Sequence, residues 1–490
     1  MIPNATPDIR DGALGIATSS GTESNYLLIG ACPALSDDAL VDGLLVFTDA
    51  ARAKAMLGPG AVAMQVAIAL QSGVSKVYVV PTEDDLGGGS GSGTPSPSNL
   101  GTGHVAGGGN AWDQFEVVIK AVTGPAAISA GFTFLYSLDA GDHWYGPIVL
   151  PAGVSTYDVP GQGLHFTFTD GSGVFAYVGD TWSFDTVFHT STDAHYVAAI
   201  NAAFASDVDF DIVHVLTEPA STSAAVTTAT AIGGAMSAAE ARFRYAFAIL
   251  DGGPDYLTDS QLASQIRASF ASFAHARVMV CAGYERVLSP LDGNTYRRGV
   301  SGTTAARLAK IPPSEHPGRL ASGALVGVRA LYHDEGVAQN LDDARFTTHR
   351  TLVGAQGFYV TRGNMMAPSG SDYSSVMNRR VMDKGCKIAR ARLLRFLNDA
   401  IAVNPATAQV NPGGINEISA RTIENWVRKG LVDGLVASGQ ASSVRVVVSR
   451  TANILSTSIL PVEIRITPKG YAEQITYVIG FENPALQLAA

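Results

Sequence analysis

The stretch FDIVHVL, residues 210–216, decides the fold class. It is almost continuously apolar, broken only by Asp211 and His214. A strand with apolar residues on both faces belongs in a sheet covered by helices on both sides. The sequence on either side supplies those helices. A helical pattern over 196–205 leads in, and a small-residue helical pattern over 220–242 follows. The run RYAFAIL at 244–250 then closes on the turn Asp251-Gly252-Gly253-Pro254, and a helix over 261–270 precedes ARVMVCA at 276–282. Repeated strand–helix alternation implies a mostly parallel sheet. Nearer the N-terminus, YLLIG at 26–30, helices over 49–57 and 61–71, and KVYVVP at 76–81 read as the first part of the same layer.

Between these two parts the texture changes twice. Residues 87–109 are dominated by Gly, Ser, Thr and Pro, which predicts a flexible linker. No Gly-Lys-Ser/Thr closes that stretch, so it lacks the ending of a phosphate-binding loop. Residues 115–122, 132–138, 145–150, 164–169 and 181–187 alternate or run apolar between turn clusters, which predicts an inserted antiparallel β-sandwich. Beyond it, residues 285–370 read as loop-rich. A long helix over about 373–403, a second over 417–437 and strands at 444–449, 461–467 and 473–481 complete the chain. The expected fold class is α/β multidomain: a central α/β sheet domain with an inserted antiparallel β-sandwich and a C-terminal α+β domain bearing extended terminal arms. The expected divisions are a polar arm at 1–25, the α/β domain at 26–86 and 189–345, a linker at 87–111, the sandwich at 112–188, a C-terminal domain at 346–472 and a terminal strand and tail at 473–490.

Composition narrows the function class. Of 490 residues, 46% are hydrophobic and 16% charged, a globular balance leaning toward burial. Mean hydropathy is +0.16, yet no run approaches the ~20 apolar residues of a membrane span. Burial between subunits is the remaining outlet, since obligate interfaces resemble a divided core. A net charge of −10 excludes a chain-wide basic footprint for nucleic acid. Cys32, Cys281 and Cys386 form neither a disulfide framework nor a zinc pattern, and read as buried hydrophobes in a reducing cytoplasm. The opening MIPNATPDIRDG lacks the layout of a secretory signal, so cytosolic synthesis is expected.

No motif for nucleophilic catalysis, zinc hydrolysis or dinucleotide binding is present, so no catalytic, cofactor-binding or metal residue is expected. His189 and His195, with Asp185 and Asp193 nearby, come nearest to a metal pattern and read better as a polar hinge. Asp251 stands where α/β enzymes place carboxylates, but the turn it begins accounts for it. Trp144, Tyr145 and Trp182 could bind a glycan, with core and turn packing the better reading.

The long C-terminal helix reverses the sign of the chain. Arg379, Arg380, Lys384, Lys387, Arg390, Arg392 and Arg395 stand against the acid Asp383. A solvated face explains such a run, and so does a surface matched to an acidic partner. The basic residues fall around the helix rather than along one stripe, and no base-reading module accompanies them, which argues against DNA. The next helix carries Arg421, Trp426, Arg428 and Lys429, and an exposed Trp beside Arg suits an interface anchor.

The order of these parts resembles the contractile phage tail sheath protein family. The resemblance rests on the polar arm leading to 26–30, the helix pair and strand to 81, FAILD at 247–251, LASGALVGVRALYHD at 320–334, and LPVEIRIT and ITYVIGF at 460–467 and 475–481. It covers most of the chain outside 87–188. The family's proline-rich passage is echoed only in part, by Ile311-Pro312-Pro313 and Glu315-His316-Pro317.

The resemblance implies a structural subunit and no enzyme. Such subunits stack as hexameric rings around an inner tube, link by strand exchange through their terminal arms, and contract without a cofactor to drive the tube through a target envelope. On this reading the linking strands contain Ala13, Ile16 and Ala17 at one end, and Ile475, Tyr477, Ile479 and Phe481 at the other. Arg379, Arg380, Lys384, Lys387, Arg390, Arg395, Arg428 and Lys429 form the tube-facing basic surface. Implied partners are further copies of itself, the inner tube protein, and baseplate and tail terminator proteins, with no direct nucleic acid and no membrane insertion. The implied location is the virion, assembled in the host bacterial cytoplasm. Alternatives are a tube or baseplate protein, and an α/β enzyme with an accessory sandwich.

Overall fold

The computed structural model describes residues 24–35, 41–83, 93–96, 98–187, 189–254, 257–338, 340–408 and 411–481. The chain divides into two compact units, 1–397 and 398–490. The expected boundary at 345/346 is therefore moved, because residues up to 397 pack with the first unit.

The first unit opens with β1 (Tyr26–Ala31), buried along its whole length, then β2 (Leu45–Phe47), α1 (Ala50–Leu57), α2 (Ala61–Gln71) and β3 (Val77–Thr82). Asp49 starts α1, its Oδ1 accepting from the amides of Ala51 at 2.8 Å and Arg52 at 3.3 Å. Gly58, at φ +81°, ends it.

An antiparallel β region follows: β4 (Thr94–Pro95), β5 (His104–Gly109), β6 (Glu116–Ala121), β7 (Phe132–Ser137), β8 (Tyr145–Leu150), β9 (Thr156–Asp158), β10 (Leu164–Thr169) and β11 (Thr181–Asp185). Two sheets, β5-β10-β9 and β4-β11-β6-β7-β8, share one aromatic core. Alternation does the sorting: Phe132, Phe134 and Tyr136 point inward from β7, and Leu164, Phe166 and Phe168 from β10. Strand β5 corrects the linker expectation. Its glycines answer to close approach, not looseness, because a Cβ on Gly107 would lie 2.3 Å from Phe184 and one on Gly108 2.2 Å from the His165 ring. Met64, Ile68, Val287 and Tyr296 join the same core, so these sheets are fused to the α/β layer.

That layer resumes with α3 (Asp193–Ala205), β12 (Ile212–Val215), α4 (Thr222–Ala241), β13 (Phe247–Asp251), α5 (Asp259–Ser269) and β14 (Val278–Cys281). The sheet order is β14-β13-β12-β1-β3-β2, with every neighbouring pair parallel except β3–β2. Leu27, Ile29, Val213, Val215, Ala248 and Leu250 face a core completed by α3, α4 and α5.

The remainder of the unit is β15 (Tyr284–Leu288), β16 (Thr295–Gly299), α6 (Ser301–Lys310), β17 (Val328–Leu331), β18 (His349–Leu352), β19 (Ala355–Val360) and α7 (Val376–Leu393). This corrects the loop-rich expectation for 285–370. Ser301-Gly302-Thr303-Thr304 are poor helix formers, and α6 is held instead by burial against α2, β12 and β13 on the second face of the sheet. Helix α7 stops at Leu393 rather than Val403; a 3₁₀ turn at Leu394–Phe396 tightens its end, and Asn398 takes φ +62°.

The second unit holds α8 (Glu417–Leu431), capped by Asn416, a π turn at Val432–Val436, β20 (Ser443–Val448), the short α9 (Ile454–Thr457) and β21 (Val462–Thr467). Strands β20 and β21 form an antiparallel pair from Ser443↔Thr467 to Val448↔Val462. Helix α8 packs on β20, burying Ile423, Val427, Leu431, Val446 and Val448. Arg450 ties this hairpin to Glu417 and Glu424 of α8. The expected third strand at 473–481 makes no ladder among the described residues.

Candidate functional site

Buried polar chemistry gathers at the end of β13. Asp251 accepts from the Ser301 hydroxyl at 2.5 Å and the Ser301 amide at 3.1 Å. With its proton committed there, Ser301 Oγ accepts from His214 Nε2 at 3.0 Å, and His214 Nδ1 accepts from the Tyr26 hydroxyl at 2.8 Å. Glu285 accepts from the Thr303 hydroxyl at 2.5 Å and lies 2.9 Å from His349 Nδ1. Burial pushes the Asp251 carboxyl up to about 7 and the His214 ring down to about 3. The adjoining cavity, lined by Gln65, Glu285, Gly302 and Thr303, holds about 10 Å³, room for one water at most. The network therefore fastens α6 to the sheet and admits no substrate. Asp251, the last residue of β13, is accounted for by its hold on Ser301.

The candidate metal residues are not brought together. His189 Nε2 bonds the Ala111 carbonyl at 2.5 Å, His195 lies 3.8 Å from Glu83, and Asp193 accepts from Thr228 at 2.6 Å. Among the described residues no group of three or more His, Cys, Asp or Glu is placed to hold a metal ion. Nor do the three aromatics form a sugar platform. Trp182 is buried with Nε1 donating to Gly103 at 3.0 Å, Tyr145 donates to Asn294 at 2.8 Å, and Trp144 is exposed.

The basic helix α7 is two-sided, which corrects part of the expected surface. Arg379 and Arg380 are only 5% and 4% exposed. Arg379 donates to Asp383 at 2.5 Å, and Arg380 donates to Ser24 and to the carbonyls of Leu308 and Ile311 at 2.8–2.9 Å. Lys387 is drawn inward by Asp211 at 2.6 Å and Asp209 at 3.0 Å. Such cations are buried because carboxylates and free carbonyls lie within reach. Lys384 is half-buried and Arg395 exposed. Arg390 lies over the Phe243 ring at 3.6 Å, at the wall of a 470 Å³ groove with Tyr245, Ala389 and Leu393. On α8, Arg428 and Lys429 are exposed, while Trp426 is partly buried rather than the exposed anchor expected.

The C-terminal segment has the opposite character. Ile475, Tyr477, Val478, Ile479 and Phe481 are 76%, 78%, 100%, 83% and 110% exposed. Strands β20 and β21 pair only with each other, so both outer edges of that hairpin are open among the described residues. An exposed β-branched and aromatic segment, in a unit that also carries open strand edges, has the chemistry of strand addition. Ala13, Ile16 and Ala17 lie outside the described residues.

Comparison with known proteins agrees with this architecture. The model of the DUF2586 N-terminal domain matches residues 3–364, and that of the DUF2586 C-terminal domain matches residues 372–486. No curated protein matches the sequence. Among solved structures, the fold is similar to the helical sheath of the anti-feeding prophage in its contracted state, at 12% identity and a TM-score of 0.53, covering 98% of this chain and 99% of that one. A chain of the six-fold symmetrised anti-feeding prophage baseplate matches at 10% identity and a TM-score of 0.53, covering 99% of each. The contracted PVC sheath complex of an extracellular contractile injection system matches at 10% identity and 0.51, covering 99% of this chain and 100% of that one. The described residues thus have a sheath-type fold.

Proposed function

The chain belongs to the DUF2586 family, and from that premise, joined to its sheath-type fold, we propose that it is a structural subunit of a contractile tail sheath, not an enzyme. Subunits stack as hexameric rings around an inner tube and contract to drive that tube through a target envelope. The observation that carries the reading is the exposed segment 475–481, which follows a β20–β21 hairpin whose outer edges are open among the described residues. Strand addition to a neighbour's hairpin is made of backbone hydrogen bonds, so it tolerates the rotation of subunits that contraction demands. The stretch containing Ala13, Ile16 and Ala17 supplies the second linking strand. Residues 112–188 form an insertion. Lys384, Arg390, Arg395, Arg428 and Lys429 meet the tube protein, and baseplate and terminator proteins close the two ends. The particle is a phage-like virion assembled in the host bacterial cytoplasm.

Deleting residues 475–490 tests this. The truncated chain is expected to fold and remain small, while the full chain forms tubes by negative-stain microscopy when tube protein is supplied. Small particles from the full chain at high concentration, with tube protein present, overturn the reading. Likeness to a baseplate chain favours a second reading, a baseplate component, for which closed rings without tubes are the expected product.

A further inference from the structure

His333 lies 1% exposed between two carboxylates. Its Nδ1 bonds Asp259, the first residue of α5, and its Nε2 bonds Glu335 Oε2 at 2.7 Å. A neutral imidazole has one N–H and one acceptor nitrogen, and a carboxylate only accepts. Both bonds therefore coexist only when the ring is an imidazolium. The second oxygen of Glu335 accepts the amides of Asn340, Leu341 and Asp342 at 2.8, 3.0 and 3.1 Å. One proton thus organises a carboxylate that in turn organises three amides. At its other end the segment is fixed by Asp334, which accepts from the Thr351 amide at 2.9 Å. Val337, 82% exposed, rides between these fastenings.

The surrounding charges favour the proton. Helix α5 contributes Asp259 and Arg267, the latter bonded to the Asn340 carbonyl. From β18 come His349 and Arg350, and from β15 Glu285, which is paired with His349 at 2.9 Å. From β16, Arg297 lies over the Tyr332 ring at 4.4 Å. The segment itself adds Asp334, Glu335 and Asp342, the last paired with Arg362 at 2.8 Å. Burial alone favours the neutral ring, but the bonds to Glu335 and Asp259 outweigh it and hold His333 above its ordinary value.

We propose that His333 is a proton-operated latch: its imidazolium holds residues 334–338 and 340–342 against the start of α5, and loss of the proton frees them together with the exposed Val337. A group whose pKa is raised in the closed state supports closure at low pH and loses it as pH rises through that value. Each pH unit separating the closed and open pKa changes the open population about tenfold.

Hydrogen-exchange mass spectrometry on the full chain tests the latch, following the slow C2–H exchange of the His333 ring and the amides of 340–342 together. The expected result is a His333 midpoint above 6.5 and a loss of amide protection, corrected for intrinsic rates, of about tenfold between about pH 6 and about pH 9, with the same midpoint. Glu335→Gln keeps the shape and lowers that midpoint. Should that variant fail to fold, Asp259→Asn at the more exposed partner gives the same reading. Protection that does not vary with pH, or a His333 midpoint at or below the ordinary value, overturns the proposal.

Discussion

Arg277 and Asp383 face each other fork to fork, Nη1 to Oδ2 and Nη2 to Oδ1, both at 3.1 Å. The pair joins the residue before β14 to the middle of α7 across 106 residues of sequence. Glu240 of α4 takes the other side of the guanidinium at 2.6–2.7 Å, and the Ala246 carbonyl a further N–H at 2.7 Å. Removing the arginine leaves Asp383 buried with its charge only half answered by Arg379. Arg277→Met is therefore expected to cost about 3–5 kcal/mol in urea unfolding. A cost within about 0.5 kcal/mol for Arg277→Met, the range of an ordinary surface change, would show that this fork does not hold α7.

Asp251 gives the fold a pH dependence with a definite sign. Burial raises its carboxyl from 3.8 to about 7, helped by Glu285 and opposed by the two Ser301 bonds. Between those values the folded chain keeps a proton that the unfolded chain releases, so stability falls as pH rises through that window. The loss is roughly 1.4 kcal/mol for each pH unit crossed within it. Asp251→Asn, which cannot ionise, is expected to flatten stability against pH between about 4 and 7 while leaving the acid end unchanged. Melting temperatures across that range decide it, and an unaltered slope in the variant assigns the dependence elsewhere.

The terminal segment permits a test of geometry rather than of mere stickiness. In an extended strand Ile475, Tyr477, Ile479 and Phe481 share one face, and Thr476 and Val478 share the other. If this segment completes a neighbour's sheet, the first set meets the neighbour's core. Tyr477→Asp and Ile479→Asp are then expected to abolish tubes, whereas Thr476→Asp leaves them. None of the three should shift the melting of the monomer, since 475–481 is exposed and makes no ladder among the described residues. Equal loss from both faces would argue for contact without strand pairing.

The α/β layer was legible in the sequence because its signals are local and redundant. A buried parallel strand such as β12 is apolar throughout, and α1 carries its own stop signals. The antiparallel sheets were equally plain wherever alternation was strong, as in β7 and β10. Strand β5 was hidden because its reason for glycine, the rings of Phe184 and His165, lies more than 55 residues away in sequence. Helix α6 was hidden because its hold on the sheet is a set of buried hydroxyl–carboxylate bonds, to which hydrophobic periodicity is blind. The same blindness put Arg379 and Arg380 on an expected surface. A run of basic residues shows that charge is present; only the carbonyls of Leu308 and Ile311 show where one of those charges is spent.

That division of α7 makes the last prediction. Arg380 donates to three buried oxygens, so Arg380→Glu places a carboxylate among acceptors and is expected to unfold the monomer. Arg395 is exposed and Arg390 rests on Phe243 with a face toward the groove, so reversing both to Glu should leave the melting curve within about 1 kcal/mol of the parent. If this end of the helix steers subunits onto an acidic tube, the double variant assembles more slowly, and the parent's own assembly rate falls with added salt while the variant's does not. Assembly kinetics by light scattering at low and high salt separate the cases. Parent and variant rates with the same salt dependence would mean that Arg390 and Arg395 are only part of a solvated face.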